Sequence, residues 1–486
     1  MEEYKHGVET ERDASVENSV STSTFNAQVV VGTAPINLLE DPASAVNKLV
    51  LCKKYSDVTE NFGISDDYSS YTLMQSAYAT FKKFGVGPIV MINVLDPNNT
   101  KHVTAVAGEQ FDVVGGVIDI PVKGILLNKI VVSNNDITGE VDKDYVSNFD
   151  EDGNVVIAIT EESKFKEVQK LTVAYTKLNP DGVTPSDVIG GENEDGVSTG
   201  IALIHDIYAK LNIVPGIITS PKYSENPAVA AAIESVAELS GDIVNSIGLV
   251  DIDATNTKKK EDVEKAKNKL GVNSRWITAC WPKVLAAGGN IMSMSAMAGA
   301  LLQYLCLNND NFPQSPDNKE FGIEGTVLDD GTEILLKQKG ANDYIVSAGV
   351  LTAIYLNGWK AWGSNTSRYP MDKNKPNMRF IKNVMMGNYL ENLFKINYLS
   401  SIGTDADVKL IDSVVNNFNM ELNGNVPARL AGAKVIFEKD DPETDVQEGK
   451  FVFTTVYADY TPTEYIKNKF VWDSTILKAA LTGTEG

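Results

Sequence analysis

The chain has 486 residues, enough for about two to four domains with large buried cores. Its formal net charge is −22, from 65 acidic and 43 basic residues. That balance excludes a general nucleic-acid binder, which needs a basic footprint, and argues against attraction to an anionic membrane.

The longest apolar runs, 228–233 and 296–302, are far shorter than the roughly 20 residues that cross a bilayer. The opening Met1-Glu2-Glu3-Tyr4-Lys5-His6 lacks the basic start and apolar core of a signal peptide. The chain is therefore expected to be made in, and to stay in, a cytoplasm-like compartment. Cys52, Cys280 and Cys306 are widely spaced in apolar surroundings and are expected to be buried free thiols. A strongly acidic subunit repels its copies, so any large assembly must be held by shape, apolar contacts and backbone hydrogen bonds.

In chain order, residues 4–26 are a polar, Ser/Thr-rich lead with no core of its own, expected to be an arm that is disordered alone or tied down by a partner. Buried strands are predicted at 28–32, 49–52 and 88–95, with a helix over 70–84 between the last two. From 101 the character changes. Short strands at 103–106, 111–118, 129–132, 154–159 and 170–174 are separated largely by Asn, Asp and Gly turns, which predicts an inserted β domain. It ends in the acidic, Gly-rich linker Gly190-Gly191-Glu192-Asn193-Glu194-Asp195-Gly196. Alternation then resumes: helix 201–211, strand 213–220, helix 227–239, strand 246–253, helix 259–270, strand 276–285 and helix 293–307. Such alternation predicts a sheet with helices on both faces. Next come a strand at 333–337 and a helix through 350–359. The last domain has helices at 380–399 and 408–422, strands at 433–437 and 450–457, and a terminal helix at 474–481. The fold class is thus α/β, with a β-rich insertion and an α+β C-terminal domain. The expected divisions are an arm 1–26, a discontinuous core 27–100 and 197–370, an insertion 101–196, and a C-terminal domain 371–486.

The stretch Tyr465-Ile466-Lys467-Asn468-Lys469-Phe470-Val471-Trp472 reads as one more strand. Ile466, Phe470 and Trp472 share one face, and Lys467 and Lys469 the other. Either it closes a hairpin within its own domain, or it is an edge that adds to another chain's sheet.

Candidate catalytic groups are sparse. Asp251 and Asp253 end a predicted buried strand, where α/β enzymes place metal-binding carboxylates, and on a continuous strand both would face the same side. A soluble metal-dependent enzyme using this pair is the alternative function. His205-Asp206 reads as a helix-surface pair, and Lys258-Lys259-Lys260, followed by Glu261-Asp262, as a solvated helix start. Trp359 and Trp362 read as a domain-junction core rather than a sugar platform. Neither a phosphate loop nor a nucleophile elbow occurs, no cofactor is implied, and no constellation makes an enzyme.

Many ordered motifs resemble the contractile phage tail sheath proteins, a family found also in phage-tail-like bacteriocins. They include Val29-Val30-Val31-Gly32-Thr33-Ala34-Pro35, Gly87-Pro88-Ile89-Val90-Met91-Ile92-Asn93-Val94-Leu95-Asp96-Pro97 and Val214-Pro215-Gly216-Ile217-Ile218-Thr219-Ser220-Pro221. Leu249-Val250-Asp251-Ile252-Asp253, Cys280-Trp281-Pro282-Lys283-Val284 and Gly358-Trp359-Lys360-Ala361-Trp362-Gly363-Ser364-Asn365-Thr366 add to them. The resemblance implies a subunit that polymerises helically around an inner tail tube and contracts to drive the tube through a cell envelope. Implied partners are its own copies, the tube protein, and baseplate and tail terminator proteins, with no nucleic acid and no membrane insertion. The implied location is the tail of a virion or phage-tail-like particle, assembled in the bacterial host cytoplasm. It also implies strand exchange: donors around His6, Val8 and Glu9 and around Ile466, Lys467, Phe470 and Trp472 would join a neighbour's sheet containing Phe451 and Phe453. The C-terminal domain would line the inner wall, where Arg379, Lys382 and Lys395 could meet an acidic tube.

Overall fold

The computed structural model describes residues 21–22, 25–194, 196–238, 243–405 and 407–483. The expected donor residues His6, Val8 and Glu9 lie outside the described residues.

Strands with no polar face must be covered on both sides, so they gather in the middle of one sheet. The strands are β1 (Ala27–Gly32), β2 (Val50–Cys52), β3 (Ile89–Asn93), β4 (Pro215–Thr219), β5 (Ile247–Asp251), β6 (Ile277–Cys280), β7 (Val350–Tyr355) and β8 (Trp359–Trp362). They form an eight-stranded sheet in the order β8-β7-β6-β5-β4-β1-β3-β2. From β7 to β3 the pairing is parallel, for example Ile218 opposite Val29 and Val29 opposite Val90. The edge strands β8 and β2 run antiparallel.

Helix α1 (Pro227–Glu238) packs on β4 and β5. Helix α2 (Met294–Leu307) packs across β1, β4 and β5, and is buried along most of its length because it is apolar all round. The chain also needs glycine where β1 ends: a Cβ on Gly32 would lie 2.2 Å from the Thr72 hydroxyl.

The β-rich segment forms two small sheets. One has four strands, including Val103–Asp112 and Lys170–Leu178; the other has three, with Val155–Ile159 in the middle. Ile118, Tyr145, Ile157, Phe165 and Val173 fill a core of their own. The chain enters and leaves side by side, with the Asn179 amide donating to the His102 carbonyl at 2.7 Å. Val183 and Val188 then rejoin the main core.

The last part is helical with a hairpin: α3 (Ile381–Tyr398), α4 (Val408–Asn423), β9 (Leu430–Phe437) and β10 (Phe453–Asp459). Helix α3 bridges two cores, with Ile381 and Met385 in the main one and Met386 and Leu390 in the C-terminal one. Its Asn388 and Asn392 amides donate to the Ser246 and Asn245 carbonyls at 3.0 and 2.8 Å, pinning α3 beside the start of β5.

Three expectations about elements are corrected. Residues 350–359 are not a helix; Val350–Tyr355 is a sheet strand returning through Asn357-Gly358 to β8. A fully buried apolar run has no polar face, so periodicity cannot distinguish helix from strand, whereas the Asn-Gly pair, both with positive φ, was a readable hairpin signal. The strand expected over 276–285 is two strands in different sheets, parted around Pro282, which has no amide to donate. The segment 333–337 contributes only the bridge between Val327 and Glu333.

Candidate assembly interface

Strands β9 and β10 form an antiparallel pair, with Lys434 opposite Val456. Their inner face packs on α4 through Val435, Phe418 and Leu422, and Phe453 stacks near Phe437 and Phe394. Phe451 lies just before β10 with its ring 6.0 Å from that of Phe437. Both phenylalanines therefore already serve their own domain. A two-stranded sheet is marginal alone, and its edges offer unpaired backbone groups. The β9 edge is blocked at Val435, whose N–H and C=O are both taken by the Asn419 side-chain amide, each at 2.9 Å. Among the described residues no such bond covers the outer edge of β10.

Beyond β10 the chain is held for five more residues and then let go. The Asp459 carboxylate accepts from Lys382 Nζ at 2.9 Å and from the Asn383 amide at 2.7 Å, and Lys382 also donates to the Tyr460 carbonyl. The Glu464 carboxylate accepts from Ser364 Oγ at 3.0 Å, from Asn365 Nδ2 at 3.3 Å and from the Arg379 guanidinium. Arg379 is itself fixed: its Nε donates to Asn365 Oδ1 at 2.8 Å, and it lies over the Tyr369 and Phe380 rings. From Tyr465 to Asp473 there is no regular secondary structure, and every side chain is exposed. Ile466, Phe470 and Trp472 are 84%, 91% and 77% exposed. The terminal helix α5 (Ser474–Thr482) follows, with Ile476, Leu477 and Leu481 also facing outwards. The intramolecular hairpin through 465–472 is thus not formed, and among the described residues nothing covers this apolar stripe.

The basic residues expected at a tube surface are placed differently from one another. Arg379 and Lys382 spend their charge on Glu464 and Asp459 within the chain. Lys395 is half-buried on α3, and burial lowers its pKa from the ordinary lysine value, opposed by nearby Glu391.

The structure separates Asp251 from Asp253. Asp251 is buried and accepts from the Ser295 amide at 2.9 Å, from Ser295 Oγ at 2.5 Å and from Ser224 Oγ at 3.2 Å. Burial pushes its pKa up, against those hydrogen bonds. Strand β5 stops at Asp251, so the alternation that would have paired the two carboxylates ends there. Asp253 turns outwards and accepts from the amides of Thr255 and Asn256, an ordinary turn role. Among the described residues no group of three His, Cys, Asp or Glu side chains could hold a metal ion. A buried charge cluster does lie next to Asp251: Lys283 sits 3.4 Å from Glu225 and also meets Asp329.

The remaining candidates are structural. His205 is exposed and Asp206 pairs with Lys210 at 2.8 Å. Lys258 and Lys260 pair with Asp330 and Glu261. The Trp359 and Trp362 rings pack against the main core, with their N–H groups on the Glu324 carbonyl and Asn342. All three cysteines are free and buried, and burial pushes the Cys52 and Cys306 thiols up to about 12. The arm's root pairs, Arg379–Glu464 and Lys382–Asp459, were invisible in the sequence. Their partners lie 85 and 77 residues apart, and opposite charge at that separation is no signal.

Comparison with known proteins points one way. No family model matches the chain. The tail sheath protein of Burkholderia phage BcepMu is 25% identical over 484 residues, covering 95% of each chain. Two solved structures share the fold. The sheath complex of an extracellular contractile injection system (PVC) in the contracted state matches with a TM-score of 0.58, at 13% identity, over 98% of this chain and 99% of that one. A chain of the anti-feeding prophage baseplate matches with a TM-score of 0.57, at 15% identity, over 96% and 98%. The fold is therefore that of contractile-system sheath subunits. The chain is similar over nearly its whole length to a tail sheath protein, and the metal-dependent enzyme alternative finds no support.

Proposed function

We propose that this chain is the structural subunit of a contractile tail sheath, polymerising helically around an inner tube and contracting to drive that tube through a cell envelope. The full-length likeness to a tail sheath protein carries this reading. The exposed arm supports strand exchange as the link between copies: Ile466, Lys467, Phe470 and Trp472 add beside β10 of a neighbour, whose Phe451 and Phe453 support the receiving sheet. Main-chain hydrogen bonds are indifferent to side-chain charge, which suits a subunit of net charge −22. A contact repeated head to tail without closing generates a helical filament. The N-terminal residues His6, Val8 and Glu9 supply the second donated strand. Lys395 meets the tube. Baseplate and terminator proteins close the two ends, and assembly takes place in the host cytoplasm. Electron microscopy of the purified protein tests this: tubes with a helical repeat support it, and monodisperse small oligomers at all concentrations contradict it.

A further inference from the structure

We infer that Arg379 and Lys382 are positioning residues that clamp the root of the C-terminal arm and set the point and direction from which it reaches a neighbour. The inference rests on the reading that the arm is donated. It comes from a sharp boundary on the chain. Up to Glu464 the arm is bound by side chains of two separate elements, Ser364 and Asn365 after β8 and Arg379 and Lys382 around the start of α3. From Tyr465 to Asp473 its side chains are exposed and no bond to another element is seen among the described residues, although these side chains are more apolar than those of the clamped part.

The chemistry of the clamp fits positioning rather than stability. Asp459 is nearly enclosed and Lys382 is 13% exposed, so this inner pair is firm. Arg379 is 12% exposed but Glu464 is 36% exposed, so the outer pair sits at the rim, where the chain can be let go. The guanidinium is locked by the Asn365 amide and by stacking on Tyr369 and Phe380, so the fixed half of the outer pair belongs to the body and the movable half to the arm. Nine residues, 465–473, separate the clamp from α5, a reach of roughly 30 Å when extended. A tether fixed at its root searches a smaller volume than one freed from Asp459 onwards. Fewer conformations are then lost when the arm joins a neighbouring sheet.

The test reads the clamp and the assembly separately. A nitroxide on Thr463→Cys reports root mobility in the soluble subunit; Thr463 is exposed, whereas the native thiols are buried. In the parent the label should be immobilised. In Glu464→Gln it should become mobile while the circular dichroism melt of the subunit is kept; with Asp459→Asn added it should become more mobile still, with a lower melt because the nearly enclosed Lys382 loses its carboxylate. The concentration needed for sheath formation should rise at least about tenfold in the double variant, because the freed root must be ordered at each junction. Glu464→Asp, which keeps the charge, should recover part of both readouts. A label equally immobile in the double variant overturns the clamp. A mobile label with an unchanged assembly concentration overturns its role in positioning. Failure of the parent to form tubes counts against the sheath reading itself, and the label on the soluble subunit still decides whether the clamp exists.

Discussion

Two prolines in the free arm give the most direct test of strand exchange. Neighbouring residues of a strand present their N–H groups to opposite edges. Lys467→Pro with Asn468→Pro therefore removes one donor from whichever edge faces the partner, and leaves Ile466, Phe470 and Trp472 in place. In the isolated subunit the cost is near zero, because residues 465–472 belong to no ladder and are exposed. In the polymer each junction loses a net hydrogen bond of about 1 kcal/mol and leaves an acceptor unpaired, at about 1–3 kcal/mol more. Together that is about 2–4 kcal/mol per junction, or roughly 30- to 1,000-fold in each association step. The proline ring, which fits only at a strand's solvent edge, adds to this. Sedimentation and electron microscopy across a concentration series read the effect. The expected result is a subunit with the parent's melting temperature that forms no long tubes at concentrations where the parent does. Full-length tubes at the parent's concentration would refute strand donation by this segment.

Three further outcomes are expected. Replacing 103–178 by a two-residue glycine turn should leave a soluble, folded remainder, because His102 and Asn179 are already hydrogen-bonded across the junction and the segment packs its own core; insoluble product speaks against an independent insertion. Glu225 has its pKa raised from 4.5 to about 7, chiefly by burial and against the attraction of Lys283. A raised folded-state pKa means that its contribution to stability is fully present below the unfolded value and is lost as pH rises through 7. Glu225→Gln should therefore flatten the stability profile between pH 5 and 8 and gain up to about 3 kcal/mol at the upper end, checked by urea melts; an unchanged profile rules this out. Asp251→Asn should cost about 1–3 kcal/mol by weakening the bonds from Ser295 and Ser224, whereas Asp253→Asn should stay within about 0.5 kcal/mol because asparagine caps the same turn. Neither should alter divalent-ion binding by calorimetry, and ion binding lost in either variant would revive a metal role.

Most of the architecture was readable because it rests on local pattern. The Val- and Ile-rich strands β1, β3 and β4, the apolar α2 and the β-rich segment all announce themselves by composition and period. The failures have two causes. At 350–359 uniform burial erased the period, and only Asn357-Gly358 marked the hairpin. At Asp251 and Asp253 the alternation rule was carried two residues beyond the end of the strand. The exposed arm illustrates the opposite case: its β-prone residues were recognised, but their state in the subunit depends on whether a partner strand lies within reach.

By itself the sequence determined the class of fold, the acidic subunit with its buried thiols, and the likeness to sheath proteins, because these follow from composition, periodicity and ordered motifs along the chain. Tertiary structure alone decided where charges are spent and which edges remain open. Arg379 and Lys382 looked like free basic residues until Glu464 and Asp459 were brought against them. The edge of β9 is closed at Val435 by Asn419, sixteen residues earlier in the chain. Such pairings depend on three-dimensional proximity between residues far apart in the chain, and no local pattern encodes that distance.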